Sequence, residues 1–226
     1  MNTAQRLLAI RERLHAACLA AERDPSQVHL VAVSKTFPAE ALDPAYELGQ
    51  RHFGENYAQE LRDKAERFEG LGVTDLSWHF IGRLQSNKIK HIAPRARYVH
   101  AVEKRSHAEA LAKHATGPLS IFLSVNIGEE ASKGGVLPTE VLARAEELDA
   151  VEGLDLCGLM CMPPRCEDPE DAAPYFARMA ELAEAGRAHG LQLRELSMGM
   201  SHDFHVAVRY GATFVRVGSA IFGKRS

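Results

Sequence analysis

Four cysteines are spread over 226 residues: Cys18, Cys157, Cys161 and Cys166. That number, at those spacings, builds no disulfide framework in a chain this long. It matches no paired Cys/His pattern of a zinc site either. Positive charge is not in excess. The net charge is −3, so no basic field draws the chain to nucleic acid or to an anionic membrane. Long apolar runs are missing, and none approaches the ~18 residues that cross a bilayer. Residues 1–6 hold no apolar signal core, so a reducing cytoplasm is the expected compartment. No linker or low-complexity stretch divides the chain, and a single domain over residues 1–226 is expected.

What is present alternates. Leu7, Leu8, Ile10, Leu14, Ala17 and Cys18 fall largely on one helical face, which predicts a helix over about 3–22. The run 29–35 then reads His-Leu-Val-Ala-Val-Ser-Lys. Four apolar residues in a row, two of them β-branched, suit a strand buried on both faces of a parallel sheet. Further strands are expected at 52–54, 76–81, 97–100, 119–125, 154–160, 193–196 and 212–217. Helical stretches separate them at 38–48, 56–69, 85–92, 104–115, 138–148, 170–189 and 202–210. Strands alternating with helices imply parallel pairing and right-handed crossovers. Eight such units predict an α/β fold, a closed (β/α)8 TIM barrel with an extra N-terminal helix. The rival is an open doubly wound sheet. Against it, no Gly-x-Gly-x-x-Gly follows the first strand.

In a barrel of this kind the carboxyl ends of all strands converge on one mouth. There the chain places Lys35, Glu55, Asn56, His79, Asn126, Met160, Met162, residues 197–201 and residues 216–219. Lys35 is an amine that can add to a carbonyl and form a Schiff base. On position alone, a strand-end lysine is more often simply solvated. Gly199 and Ser201 precede one helix, and Gly218 and Ser219 follow the last strand. Glycine lets backbone amides approach an anion, and phosphate sites of these barrels are often built after strands seven and eight. The plainer alternative is a pair of tight turns with a serine cap. Arg216 follows Phe214 and Val215, so its head must emerge near the mouth or find a buried partner. A lysine, a phosphate cradle and a polar partner for a pyridine nitrogen together point to pyridoxal 5′-phosphate, PLP. An arginine at that nitrogen opposes its protonation and weakens the ring as an electron sink.

Other residues read more plainly. His202 and His205 are spaced like a metal pair, but nothing completes a ligand set. Cys157 reads as core packing. Met160, Met162, Met198 and Met200 are expected to line the barrel interior or mouth. Lys88, Lys90, Arg95 and Arg97 form a modest basic patch that reads as a solvated face.

Seven ordered blocks then carry a resemblance. They are Val31-Ala-Val-Ser-Lys35-Thr, Phe53-Gly-Glu-Asn-Tyr57, and Trp78-His-Phe-Ile-Gly82 with Leu84-Gln-Ser-Asn-Lys88. Next come Val125-Asn126 with Lys133-Gly134, and Gly158-Leu-Met160. The last are Leu196-Ser-Met-Gly-Met-Ser201 with Asp203, and Val215-Arg-Val-Gly218 with Ile221-Phe-Gly223. In these the chain resembles the YggS/PROSC family of pyridoxal phosphate homeostasis proteins over nearly its whole length. The resemblance implies a barrel like that of alanine racemase, with PLP held on Lys35 as an internal aldimine. It implies that Ser201, Gly218 and Ser219 hold the phosphate and that Arg216 lies near the pyridine nitrogen or the phosphate. Asn56 and His79 would lie near the ring. It also implies a protein that binds and supplies PLP without efficient catalysis, because the second domain of alanine racemase, with its catalytic tyrosine, has no counterpart up to Ser226. PLP-dependent apoenzymes would be recipients, and a monomer is expected. Phe37, His202, His205 and the short tail Lys224-Arg225 depart from the family pattern. The alternatives are a small PLP-dependent amino-acid racemase or lyase using the same aldimine, and an interaction protein gated by its cofactor.

Overall fold

A parallel sheet covered by helices buries both faces, so its strands need apolar residues at nearly every position. The computed structural model describes residues 1–223 and contains eight strands that meet this demand. Residues 224–226, with the tail Lys224-Arg225, lie outside the described residues. The strands are β1 (His29–Val33), β2 (His52–Glu55), β3 (Ser77–Phe80), β4 (Tyr98–Val102), β5 (Ser120–Val125), β6 (Asp155–Cys161), β7 (Glu195–Met200) and β8 (Phe214–Val217). Each pairs in parallel with the next, and β8 pairs with β1, closing the barrel in chain order. The predicted (β/α)8 barrel and its extra N-terminal helix are therefore both present.

That first helix is α1 (Thr3–Ala20). Asn2 caps it reciprocally: its side chain accepts from Gln5 N–H, and the Gln5 side chain accepts from Asn2 N–H. The remaining helices are α2 (Asp43–Glu47), α3 (Ala58–Gly70), α4 (Ile89–Ile92), α5 (Arg105–His114), α6 (Val141–Asp149), α7 (Ala173–Ala188), α8 (Phe204–Arg209) and α9 (Ser219–Phe222). Helix α1 packs against α8 and α9 beside the β1–β8 closure.

Strand alternation sorts the core into two parts. Phe53, Phe80, Met198 and Val215 belong to the shell between strands and helices. Val31, Val33, Phe122, Cys157, Met160 and Phe214 form a separate cluster inside the barrel. Met198 therefore differs from expectation, because it alternates with the inward Ser197 and faces the helices. Bulky aliphatic side chains usually dominate such interiors. Here rings do. Phe214 lies 5.0 Å from His29, 5.4 Å from His79, 5.2 Å from Tyr98 and 5.7 Å from Phe122, centroid to centroid.

Two local expectations shift. Strand β7 runs through Met200, so residues 197–200 are strand rather than turn. Gly199 allows this with φ 89° and a close approach to α8, where a Cβ would stand 2.7 Å from Ala207 Cβ. Helix α9 was not anticipated. Its four residues are too few for any periodicity to show.

Phe214→Ala removes the ring on which this interior converges. It should cost about 3–5 kcal/mol in chemical unfolding, the scale of an uncompensated core aromatic. A loss below about 1 kcal/mol would show that the interior collapses to fill the space.

Candidate functional site

Strand β1 ends at Val33, and the chain turns through Ser34, Lys35 and Thr36. Thr36 has φ 68°, a left-handed backbone rare for a β-branched residue. Strain of about 1–3 kcal/mol at such a residue persists only where the surroundings hold it. A buried ion pair does so here. Lys64 Nζ lies 2.6 Å from Glu55 Oε1 and 3.1 Å from Glu60 Oε2, and it donates to the Ser34 carbonyl at 2.8 Å. Ser34 Oγ donates to Glu55 Oε1 at 2.6 Å, and Thr36 N–H donates to Glu60 Oε2 at 2.7 Å. Both chain neighbours of Lys35 are thus tied to one clamp from β2 and α3. Burial pushes the Glu55 carboxyl up to about 7, while Lys64 and the Ser34 hydroxyl pull against that rise.

Lys35 opens into a cavity of about 310 Å³ at the carboxyl end of the barrel, within the ~300–1,000 Å³ usual for small ligands. Asn56, Ser201, Arg216, Gly218 and Ser219 line it too. Six of the seven site residues expected from sequence therefore meet in one place. Asn56 Oδ1 is buried without a hydrogen-bond partner among the described residues, a polar group left for a ligand. Gly218 lets the chain pass close to β1, since a Cβ there would stand 3.2 Å from the Val33 carbonyl oxygen. Ser219 begins α9, whose first amides have no intrahelical acceptor. The turn at Ser201 is fixed by Asp203, whose Oδ1 accepts from Met200 N–H at 2.6 Å.

Arg216 forms part of the cavity wall yet is only 5% exposed. Its NH1 donates to Ser197 Oγ at 2.5 Å and its NH2 to the Cys161 carbonyl at 2.8 Å. No carboxylate among the described residues bonds to it. Burial lowers its pKa from the ordinary value.

His79 is the seventh expected residue, and the structure does not bring it to the mouth. It is fully buried inside the barrel, and both ring nitrogens are occupied, by His52 and His100, each at 2.9 Å. Ile81, two positions on, takes the place at the cavity. His202 is likewise elsewhere, against the Glu167 carbonyl at 2.9 Å, and no cluster of metal-ligating side chains occurs among the described residues.

Sequence reasoning passed over several contributors. Ile81, Gly82 and Arg83 line the cavity, as does Phe37, already marked as a departure from the family pattern, whose ring lies tilted 5.5 Å from that of Phe222. Alternation along β3 could have found Ile81. The Glu55–Lys64 pair could not be read from sequence, because Lys64 sits among ordinary helical charges. The basic patch is partly neutralised, with Arg95 NH2 2.6 Å from Glu66.

A parallel eight-stranded barrel with a lysine after its first strand and small-residue turns after its last two is the barrel of the alanine racemase N-terminal domain. That family's profile, "Alanine racemase, N-terminal domain", matches residues 6–226. Relatives narrow the class. A "Pyridoxal phosphate homeostasis protein" of Aquifex aeolicus is 39% identical over 229 residues, covering 100% of this chain and 99% of the relative. One from Escherichia coli K12 is 39% identical, covering 99% and 97%. The chain belongs to the family of pyridoxal phosphate homeostasis proteins. Among solved structures, PipY of Synechococcus elongatus matches in its form without PLP with TM-score 0.85 at 35% identity, over 98% of this chain and 100% of PipY. Its form with PLP bound matches with TM-score 0.81 at 34% identity over the same shares.

The clamp has a pH signature. Folding raises the Glu55 carboxyl from an ordinary 4.5 to about 7, so the folded state binds this proton more readily. Its stabilising contribution is full below about 4.5 and is lost as pH rises through about 7. Glu55→Gln keeps an acceptor for Lys64 and Ser34 but removes the titration. Urea midpoints across that window should fall with rising pH in the natural protein and fall less steeply in the variant. Equal slopes would assign the proton to another group.

Proposed function

We propose that this protein binds pyridoxal 5′-phosphate at the barrel mouth and serves the intracellular storage and supply of that cofactor. The observation that carries the reading is the convergence of Lys35, Asn56, Ser201, Arg216, Gly218 and Ser219 on one cavity. The donor set fits the group. An amine suits an aldehyde, small-residue turns with free amides suit a phosphate, and an orphaned amide oxygen awaits a polar contact. The names of the full-length relatives and the PLP-bound form of PipY support the same reading.

Each residue then has a task. Lys35 holds the cofactor as an internal aldimine, on a backbone fixed by the clamp beneath it. Ser201, Gly218 and Ser219 bind the phosphate. Asn56 orients the ring. Arg216 keeps a cation where a carboxylate would hold a proton on the pyridine nitrogen. When bound, the cofactor supplies an electron sink for amino-acid chemistry, and a guanidinium at its nitrogen weakens that sink. The residues thus favour holding the cofactor over turning it. The setting we propose is the cytoplasm, with the protein a monomer and PLP-dependent apoenzymes as recipients. The four free cysteines fit a reducing compartment.

Borohydride reduction followed by peptide mapping should place the cofactor on Lys35. An unmodified Lys35 in protein that still carries PLP would sink the assignment. Ser201→Ala should weaken PLP binding by about 1–3 kcal/mol, the scale of a hydrogen bond to a charged group. Pyridoxal, which lacks the phosphate, should bind the variant and the natural protein alike. Equal weakening of both ligands would remove Ser201 from the phosphate site.

A further inference from the structure

Behind Arg216 runs an unbroken line of side chains through the barrel. Ser197 Oγ is 2.7 Å from His100 Nδ1. His100 Nε2 is 2.9 Å from His79 Nδ1, and His79 Nε2 is 2.9 Å from His52 Nδ1. Ser197, His79 and His100 are fully buried. The line ends at His52, half-buried at the opposite end of the barrel beside a second cavity of about 430 Å³.

Donor counting gives this line a direction. Arg216 can only donate, so Ser197 Oγ accepts from it. Ser197 Oγ has a second lone pair, but only donation to His100 Nδ1, its other partner among the described residues, leaves the hydroxyl proton paired. His100 accepts there and carries its proton on Nε2, which it donates to His79 Nδ1. His79 in turn donates from Nε2 to His52 Nδ1, and His52 keeps its own proton on Nε2. Every acceptor end faces Arg216. Aligned dipoles of this kind strengthen one another at low dielectric and stabilise a buried cation. They help to offset its desolvation where no carboxylate among the described residues bonds to it and Asp203 acts on it only through space.

We propose that Ser197, His100, His79 and His52 are positioning residues for Arg216. They form a one-way hydrogen-bond relay that aims its charge at the mouth cavity and makes that cavity sensitive to the far end of the barrel. This rests on the cofactor reading above and adds residues to it. Of the five guanidinium donors, the two bonds above use one each, and the remaining three have no protein acceptor among the described residues. The relay itself stays neutral. Burial and the neighbouring Arg216 hold His100 well below the ordinary histidine range, and burial and the adjoining histidines do the same for His79. His52 is pushed down to about 4 by burial and by His29. The other titratable groups against the relay are His29 on β1, stacked 5.0 Å from His52, and Tyr98 on β4, stacked 4.6 Å from His79. Cys157 on β6 lies in the same interior, and Arg11, His15 and Arg51 surround the His52 end. The carboxylates nearby act through space, Asp203 on Arg216 and Asp155 and Glu195 on Tyr98 and Cys157, and none of them is hydrogen-bonded to the relay among the described residues.

Two measurements test this. Long-range 1H–15N correlation spectra of the histidine rings should show His52, His79 and His100 as neutral Nε2–H tautomers at pH 7, with or without PLP. An Nδ1–H tautomer at any of the three reverses the direction and overturns the proposal. The second measurement follows the absorbance of bound PLP against pH. Ser197→Ala should raise its midpoint by on the order of one unit, a tenfold change in proton affinity, because the guanidinium charge is no longer aimed. Ser197→Thr, which keeps the hydroxyl, should restore the midpoint. His52→Phe, distant from the cavity, should shift it in the same sense by roughly twofold to threefold in proton affinity. A merely structural role for these residues would lower stability and leave the midpoints in place, and that result would also overturn the proposal. A natural protein that binds no PLP would end the cofactor reading, while the tautomer spectra would still decide the relay.

Discussion

Arg216 is a cation inside a barrel with no carboxylate bonded to it among the described residues. Removing such a charge from water costs several kcal/mol unless the surroundings replace the lost solvation. Much of the interior follows from that requirement. Polar rings and a serine stand where a barrel of this type usually has branched aliphatic residues. Phe122 and Phe214 fill the volume around them, with Phe122 stacked 4.4 Å from His100. The interior is built to keep one positive group fixed and charged at its upper end.

The fully buried carboxyl of the described residues serves a different group. Glu55 is fully buried and stands on β2 with its carboxyl directed at Lys64. That pairing serves backbone geometry, since it holds the residues on either side of Lys35. Breaking a buried pair by losing one partner typically costs about 3–5 kcal/mol, so the clamp is not easily rearranged. The mouth therefore has a lysine on a clamped backbone on one side and, on the other, a guanidinium to which no carboxylate among the described residues is bonded. On the cofactor reading proposed above, such a site would seat an anionic aldehyde while resisting protonation of a ring nitrogen.

The fold was legible in the sequence because burial on both faces leaves a simple mark. The unbroken run Leu30-Val31-Ala32-Val33 and its seven counterparts announced parallel strands, and their number announced closure. The mouth was legible for the same reason, because strand ends point there whatever the side chains are. Depth along a strand was not legible. His79 on β3 and Ile81 just past its end both alternate inward, and only the stagger of the closed barrel puts one in the core and the other at the cavity. Gly199 was visible as a glycine near the expected anion site, but its close contact with α8 depends on packing no local pattern records. Ser197, between Leu196 and Met198, looked like part of a turn, and its bond to Arg216 spans 19 positions of sequence.

The closure of β8 on β1 links these features. Its register places Val31 opposite Arg216 and Ala32 opposite Val217. Two residues beyond Val33 stands Lys35, and just beyond Val217 stand Gly218 and Ser219, so one set of ladder bonds aligns the amine with the small-residue turn. The same register points Arg216 inward and Val215 and Val217 outward into the helical shell. A slip of one residue would reverse every side chain of β8, placing Arg216 among the helices and valines in the barrel. Such a slip would take the guanidinium away from Ser197 and the Cys161 carbonyl. The cost of stranding that charge therefore helps to choose the register. In this way the residue that shapes the mouth also helps specify how the barrel closes.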